Sequence, residues 1–356
     1  MAQLPDQEIA VVAFTQAPNL RHDNGADEVE TLAPIIHEAL EQISLPKSEI
    51  GFVCSGSSDY LLGLPFSFVK ALDAFGPWPP IKESHVEMDG AWALYETWVR
   101  MLHDDVDYAL VYAFGKSSNV NIRRMLTLQQ DPYLVAPLWP DTISMAGLQA
   151  RAALDAGTVS LEQMADVVAR SRRNAKNNPF AQLSGDYATA DLLDEPMFVD
   201  PLRKHDCAPI TNGASVVILA KGEAARRARK RPAWIRGIDH RIEAHQLGER
   251  DLTRSESTAT AAAKAGVSSA AVDVAEIHAP FSHQEVIVAD ALGLSDGTDI
   301  NPSGGALASN PLMTAGLVRI GEVATRVWDE RVDRGVAHAT SGAALQQNLV
   351  CVLEGE

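Results

Sequence analysis

An α/β protein made of two duplicated strand–helix units is what this chain of 356 residues predicts, on three observations. Short β-branched apolar runs alternate with amphipathic or alanine-rich helical stretches. The same order of strands and helices occurs twice, once in residues 1–225 and once in residues 226–356. One long stretch inside the first copy, residues 116–206, carries helical periodicity and no strand pattern.

In order, Glu8–Phe14 (EIAVVAF) reads as a strand, and between residues 29 and 45 Leu32, Ile35, Ile36, Ala39, Leu40 and Ile43 mark an amphipathic helix. Ile50–Cys54 is the next strand and Met88–Leu102 a buried helix. Tyr108–Phe114 (YALVYAF) is apolar on both faces, as a central strand must be. Inside residues 116–206, helices are expected at Ser144–Ala156 and Leu161–Ala175, and an insertion of this length is expected to cap a substrate. Asn212–Leu219 closes the first copy. The second runs Ala233–Gly237 (strand), Ser255–Ala265 (helix), Val272–Ile277 (strand), a helix through Val286–Leu292, a glycine-rich loop with its helix, and strands Val336–Ala339 and Asn348–Leu353.

A 46% hydrophobic content supplies a large core, and a formal charge of −17 argues against unspecific nucleic-acid binding and against an anionic membrane surface. Three distant cysteines, Cys54, Cys207 and Cys351, indicate neither a disulfide framework nor a zinc knuckle and read as core thiols. There is no apolar run of about 18 residues and no signal-peptide pattern in Met1–Glu8, so a cytoplasmic protein without a membrane span is expected.

The most distinctive stretch is Asn301–Gly316 (NPSGGALASNPLMTAG). Gly304 and Gly305 permit close backbone approach, Pro302 and Pro311 stiffen the loop, and Leu317, Ile320, Val323, Ala324 and Val327 continue it as a buried helix. Such a helix N-terminus favours a carboxylate, a thioester oxygen or a phosphate.

Asn301-Pro-Ser-Gly-Gly followed by Ser309-Asn310-Pro311-Leu312 and Gly316 resembles the thiolase superfamily's loop that ends in Gly-His-Pro, and more narrowly the sterol-carrier-protein-x and lipid-transfer-protein branch. Asn178-Pro-Phe-Ala181 and Asn212-Gly-Ala are similar to that branch's loop-domain wording. The resemblance implies the thiolase fold: two βαβαβαββ units in five layers, with an inserted loop domain. It also implies four catalytic stations. Where the family has Cys-x-Ser-Gly, this chain reads Glu87-Met88-Asp89-Gly90, so Glu87 replaces the nucleophile and ordinary thiolysis is excluded. Glu87 is then either a buried base or, with Asp89, a helix cap. His278 in Glu276-Ile-His278-Ala-Pro-Phe keeps the histidine of the second station, Asn310 replaces that of the third, and Ala337-His338-Ala-Thr340-Ser341-Gly342 occupies the fourth without a cysteine. His283 is expected to be exposed.

On this reading Glu87, His278, Asn310 and His338 are the candidate catalytic residues, and Asp89, Gly304, Gly305 and Ser341 are candidates for binding substrate. The substrate is expected to arrive as a coenzyme A thioester, without a further cofactor or a metal. The basic run Arg226–Arg231 is either a solvated linker or a site for the nucleotide end of that carrier. Three functions are compatible: an aldol-lyase subunit cleaving a β-hydroxyacyl-CoA with a bulky acyl group such as a steroid side chain, a noncatalytic subunit paired with a more complete chain, or a lipid or acyl-CoA carrier. The resemblance further implies a thiolase-type dimer, homo- or heteromeric, and by analogy a small zinc-ribbon and OB-fold partner.

Overall fold

The computed structural model describes residues 8–22, 25–76 and 81–356, so residues 1–7 of the stretch read for a signal sequence lie outside the described residues. The first copy contains β1 (Ile9–Gln16), α1 (Glu28–Gln42), β2 (Phe52–Gly56), α2 (Asp59–Leu62), α3 (Phe68–Phe75), β3 (Lys82–Val86), α4 (Gly90–Met101) and β4 (Tyr108–Gly115). The insertion then adds α5 (Ile122–Leu128), α6 (Thr142–Asp155), α7 (Leu161–Asn174), α8 (Thr189–Asp194) and the short strands β5 (Met197–Val199), β6 (Leu202–Arg203) and β7 (Ile210–Thr211). β8 (Gly213–Lys221) and α9 (Gly222–Ala228) complete this copy. The second copy contains β9 (Ala233–Ile242), α10 (Glu256–Ala265), β10 (Val274–Ile277), α11 (Ser282–Leu292), β11 (Asp299–Ile300), α12 (Gly305–Ala308), β12 (Asn310–Pro311), α13 (Ala315–Trp328), β13 (Arg334–Ser341) and β14 (Gln347–Glu354).

Ten strands are hydrogen-bonded in the order β11-β10-β13-β14-β9-β1-β8-β4-β2-β3, a mixed array of two five-stranded sheets joined between β9 and β1. Its middle is a narrow seam: β1 meets β9 only at Ala10 opposite Trp234 and Val11 opposite Ala233. On either side the pairing repeats. β2 is parallel to β3 and β4 while β8 is antiparallel to β4 and β1; β10 is parallel to β11 and β13 while β14 is antiparallel to β13 and β9. The duplication read from the sequence is therefore a strand-by-strand correspondence.

Five layers follow from which face each helix buries. Ala91 and Leu94 of α4 and Leu317, Ile320, Val323 and Val327 of α13 pack with Val111 and Leu219 of one sheet and Ala337 and Leu349 of the other. These two helices are the central layer. Leu32, Ile36 and Ala39 of α1 with Ala71 and Phe75 of α3 cover the outer face of the first sheet, and α10 and α11 cover that of the second. Two glycines let the central helices meet end to end. A Cβ on Gly90 would stand 2.5 Å from that of Ala113, and one on Gly316 would stand 2.5 Å from Asp89 Oδ1.

Some elements depart from the sequence expectation. β3 (KESHV) has no apolar pattern because it is an edge strand, exposed at its first three residues. His283 is fully buried rather than exposed, because α11 is packed by α10 on one side and α7 on the other. Its Nε2 lies 3.2 Å from Gln149 Oε1, and burial pushes its pKa down to about 3. No described helix is long and apolar enough to cross a membrane.

Candidate active site

β2 and β3 are parallel to each other, as are β10 and β13, and the C-terminal ends of both pairs meet at one place, over which the insertion closes. Between them lies a cavity of about 880 Å³, walled by Glu87 after β3, His278 after β10, Thr340 and Ser341 at the end of β13, Asn310 in β12, and apolar residues of α5–α8 such as Ile122, Ala146, Val168 and Leu192. Its size and largely apolar lining suit a sizeable organic ligand.

Of the two readings of Glu87, a buried base is not what stands here. Its side chain is 48% exposed on the cavity wall. Oε1 accepts from the backbone N–H of Asp59, 2.6 Å away, in the first turn of α2, and Oε2 stands 3.4 Å from His85 Nε2. His85 in turn pairs through Nδ1 with Ser55 Oγ (2.9 Å) and stacks on Phe68. Glu87 is thus an anchored, solvent-reachable carboxylate.

Asp89 takes the capping role, and for two helices at once. It is the N-cap of α4, accepting from Ala91 N at 2.9 Å. The same carboxylate accepts from Gly316 N (3.0 Å) and Leu317 N (3.2 Å) in the first turn of α13. The anion predicted at that helix N-terminus is therefore internal. With both oxygens engaged, Asp89 is a brace of the site rather than a substrate ligand. Burial lifts its carboxyl above the usual range against the pull of these three amides.

His278 and Asn310 form a unit. Thr340 N donates to His278 Nδ1 (3.4 Å), so the ring proton resides on Nε2 and is donated to Asn310 Oδ1 at 3.0 Å. This fixes the amide with its oxygen toward His278, and its NH₂ has no protein partner among the described residues. Burial first, then the positive charge of Arg319, pushes the His278 pKa down to about 3. With both nitrogens engaged and the ring neutral, His278 is suited to orienting Asn310 and not to abstracting a proton.

His338 lies outside the cavity. It sits inside β13, 1% exposed, with Nε2 bonded to Asn348 Oδ1 (3.0 Å) and burial lowering its pKa to about 4. Ser341, three residues further on at the strand end, is half-buried on the cavity wall.

Gly304 and Gly305 do not line the cavity either. A Cβ on Gly304 (φ +97°) would meet Ala175 at 2.8 Å, and one on Gly305 would meet Asn301 at 2.6 Å. Their loop is a clamp: Asn301 accepts from Ile277 N and donates to Glu285, Ser303 bonds Glu276 through both N and Oγ, and Asn174 and Asn178 reach in from the insertion. Glu276 is fully buried and paired with Arg319 at 2.9 Å. The glycines let the loop close on the side chains of Ala175, Ala308 and Asn301, the alternative use of a close approach.

The basic run is likewise committed. Arg226 pairs with Glu356 at 2.8 Å and lies over Trp234, Arg229 donates to Val12 O and lies over Trp328, and Arg231 bonds Asp333. None of these arginines borders the cavity. Sequence reasoning missed Cys207, which is on the cavity wall rather than in a core; burial pushes its thiol up to about 12. It also missed Arg172, for which the sequence held a signal: an arginine on the apolar stripe of α7.

No family model matches the chain. An acetyl-CoA acetyltransferase of Methanothermobacter thermautotrophicus is 31% identical over 197 residues, covering 49% of this chain and 51% of that protein. Sterol carrier protein 2 of Gallus gallus is 28% identical over 242 residues, covering 60% of this chain and 43% of that protein. The matches thus span about half the length, or less, of these curated relatives. Among solved structures, an "Ltp2-ChsH2(DUF35) aldolase" superimposes with a TM-score of 0.81 at 15% identity over 99% of this chain and 98% of that one. Human mitochondrial 3-ketoacyl-CoA thiolase does so with 0.75 at 17% identity over 99% of this chain and all (100%) of that one. At such identities the solved structures show that this chain has the thiolase fold, and the sequence relatives show that about half of it is similar to thiolase-superfamily proteins.

Proposed function

We propose that the chain is the thiolase-like subunit of an acyl-CoA aldol-lyase, acting on a β-hydroxyacyl-CoA whose acyl group is bulky, a steroid side chain being one such group. The observation that carries this reading is an accessible carboxylate, Glu87, and an oriented amide donor, Asn310, on the walls of one cavity whose only cysteine among the described residues, Cys207, is held as a thiol. Retro-aldol cleavage needs a base and an oxyanion donor, but no covalent nucleophile. Glu87 takes the proton of the β-hydroxyl, the Cα–Cβ bond breaks to leave a carbonyl on the departing fragment, and the electron pair passes into the thioester enolate. Asn310 N–H donates to that enolate oxygen, and Cα is then protonated to give the shorter acyl-CoA. The structural neighbour named as an aldolase supports the reading by its fold alone.

Incubating the purified chain with a 3-hydroxyacyl-CoA and following release of the shorter thioester tests it. Glu87→Gln and Asn310→Ala should each lower turnover by about 10²-fold. An acyl group trapped on Cys207, or undiminished turnover in Glu87→Gln, overturns it.

A second reading, a noncatalytic subunit or a carrier, draws on β3, whose exposed outer edge is open to pairing with another chain as a homo- or heterodimer. Activity that appears only with a co-encoded thiolase-like chain, or with a small zinc-ribbon and OB-fold partner, and survives Glu87→Gln would favour it.

A further inference from the structure

Along α7, Met164, Val168 and Arg172 follow one another at four-residue spacing, and all three are buried. The first two pack into apolar clusters. Arg172 is 6% exposed and borders the cavity. Its Nη1 donates to Leu307 O, and no carboxylate of the described residues comes within ion-pair distance of the guanidinium. The acids nearby are otherwise placed: Asp206 accepts from Arg203 N and Ser282 Oγ, while Asp191 and Glu195 line the cavity without reaching Arg172.

A guanidinium taken out of water without a counter-charge is costly, and burial here lowers its affinity for its proton. Proteins keep such a group where a ligand completes it, and the planar fork of donors matches carboxylate and phosphate oxygens. Lys204, exposed and also bordering the cavity, adds a second positive charge with no partner among the described residues.

We infer that Arg172, assisted by Lys204, binds an anionic group of the ligand, a carboxylate or a phosphate. The inference rests on the acyl-CoA reading of the cavity, which supplies two sources of that chemistry: a phosphate of the carrier, or a carboxylate on the acyl chain.

Titration calorimetry on wild type, Arg172→Gln, Arg172→Lys and Lys204→Gln, with coenzyme A, 3′-dephospho-coenzyme A, glutaryl-CoA, pentanoyl-CoA, glutarate and inorganic phosphate, tests it. If the anion is an acyl carboxylate, wild type prefers glutaryl-CoA to pentanoyl-CoA and Arg172→Gln erases that preference, a loss of about thirtyfold or more. If it is a phosphate, Arg172→Gln weakens every thioester alike. Arg172→Lys keeps part of either effect, and Lys204→Gln, on an exposed side chain, shows a smaller loss of the same pattern should Arg172→Gln fail to fold. Binding of glutarate or phosphate through Arg172 with no binding of any coenzyme A compound would keep the anion site and sink the acyl-CoA reading. Equal affinities of wild type and the folded variants for every probe overturn the inference.

Discussion

Replacing Asp89 with alanine strips the acceptor from three backbone amides at once: Ala91 N in α4, and Gly316 N and Leu317 N in α13. All three lie in the central helical layer, and Asp89 itself is 3% exposed. Each stranded donor costs roughly 1–3 kcal/mol, so a total of about 3–9 kcal/mol is expected, with the lost charge at two helix N-termini adding to it. Asp89→Asn should cost about half of that, because one oxygen remains to accept while the new NH₂ confronts a backbone donor. Urea unfolding followed by tryptophan fluorescence reads the change, since Trp92 stands in the first turn of α4. An Asp89→Ala protein within about 1 kcal/mol of wild type would refute the double cap as a principal fastening of the central layer.

His278→Ala should lower turnover while His278→Gln, which can still donate to Asn310, restores part of it; because His278 titrates at about 3, no limb of the pH–rate profile between about pH 5 and pH 8 should vanish in either variant. His283 has its pKa lowered from 6.5 to about 3, so the stability it contributes is complete above pH 6.5 and drains away as pH falls toward 3. Urea unfolding at about pH 7 and pH 5 should show a drop about 2 kcal/mol smaller for His283→Gln than for wild type, and equal drops would contradict the burial argument. Cys207, held up at about 12, should react with iodoacetamide at pH 8 on the order of 10²–10³ times more slowly than free cysteine, as quantified by peptide mass spectrometry.

The readable parts of the sequence were those in which burial is uniform or strictly periodic. Tyr108–Phe114 could only be a central strand, and Leu32, Ile36 and Ala39 could only be one face of a helix. β3 was invisible because an edge strand pairs through its backbone and leaves no side-chain pattern. α11 misled for the opposite reason: a helix covered on both sides buries His283, Gln284 and Glu285 together, and no stripe remains to distinguish inside from outside. In the site, Glu87 and His278 fell on the cavity because they follow strand ends and Ser341 because it closes one, which topology fixes, while Asn310 is held there in β12 by pairing with β7. His338 did not, since it lies inside β13 beside Ile277 of β10, short of the strand end where Thr340 and Ser341 reach the cavity. Gly304 and Gly305 announced close contact correctly but not its partner, which is Ala175 and Asn301 rather than a ligand. Arg172 left a local trace, an arginine on an apolar helical stripe, but that it and Cys207 border the cavity depends on how the insertion folds back, a relation between distant segments that local patterns do not encode.

The narrow seam between β1 and β9 bears on whether either repeat is self-sufficient. So few ladder bonds cross it that the copies are joined mainly elsewhere: by α4 and α13, where Asp89 of one copy is fastened to Gly316 and Leu317 of the other, and by α7, which packs on α11 while Asn174 and Asn178 hold the loop at Asn301 and Ser303. Glu87 and Asn310 are likewise divided between the repeats. A fragment severed at their boundary would therefore possess half a pocket and an open-ended sandwich, so neither repeat is self-sufficient.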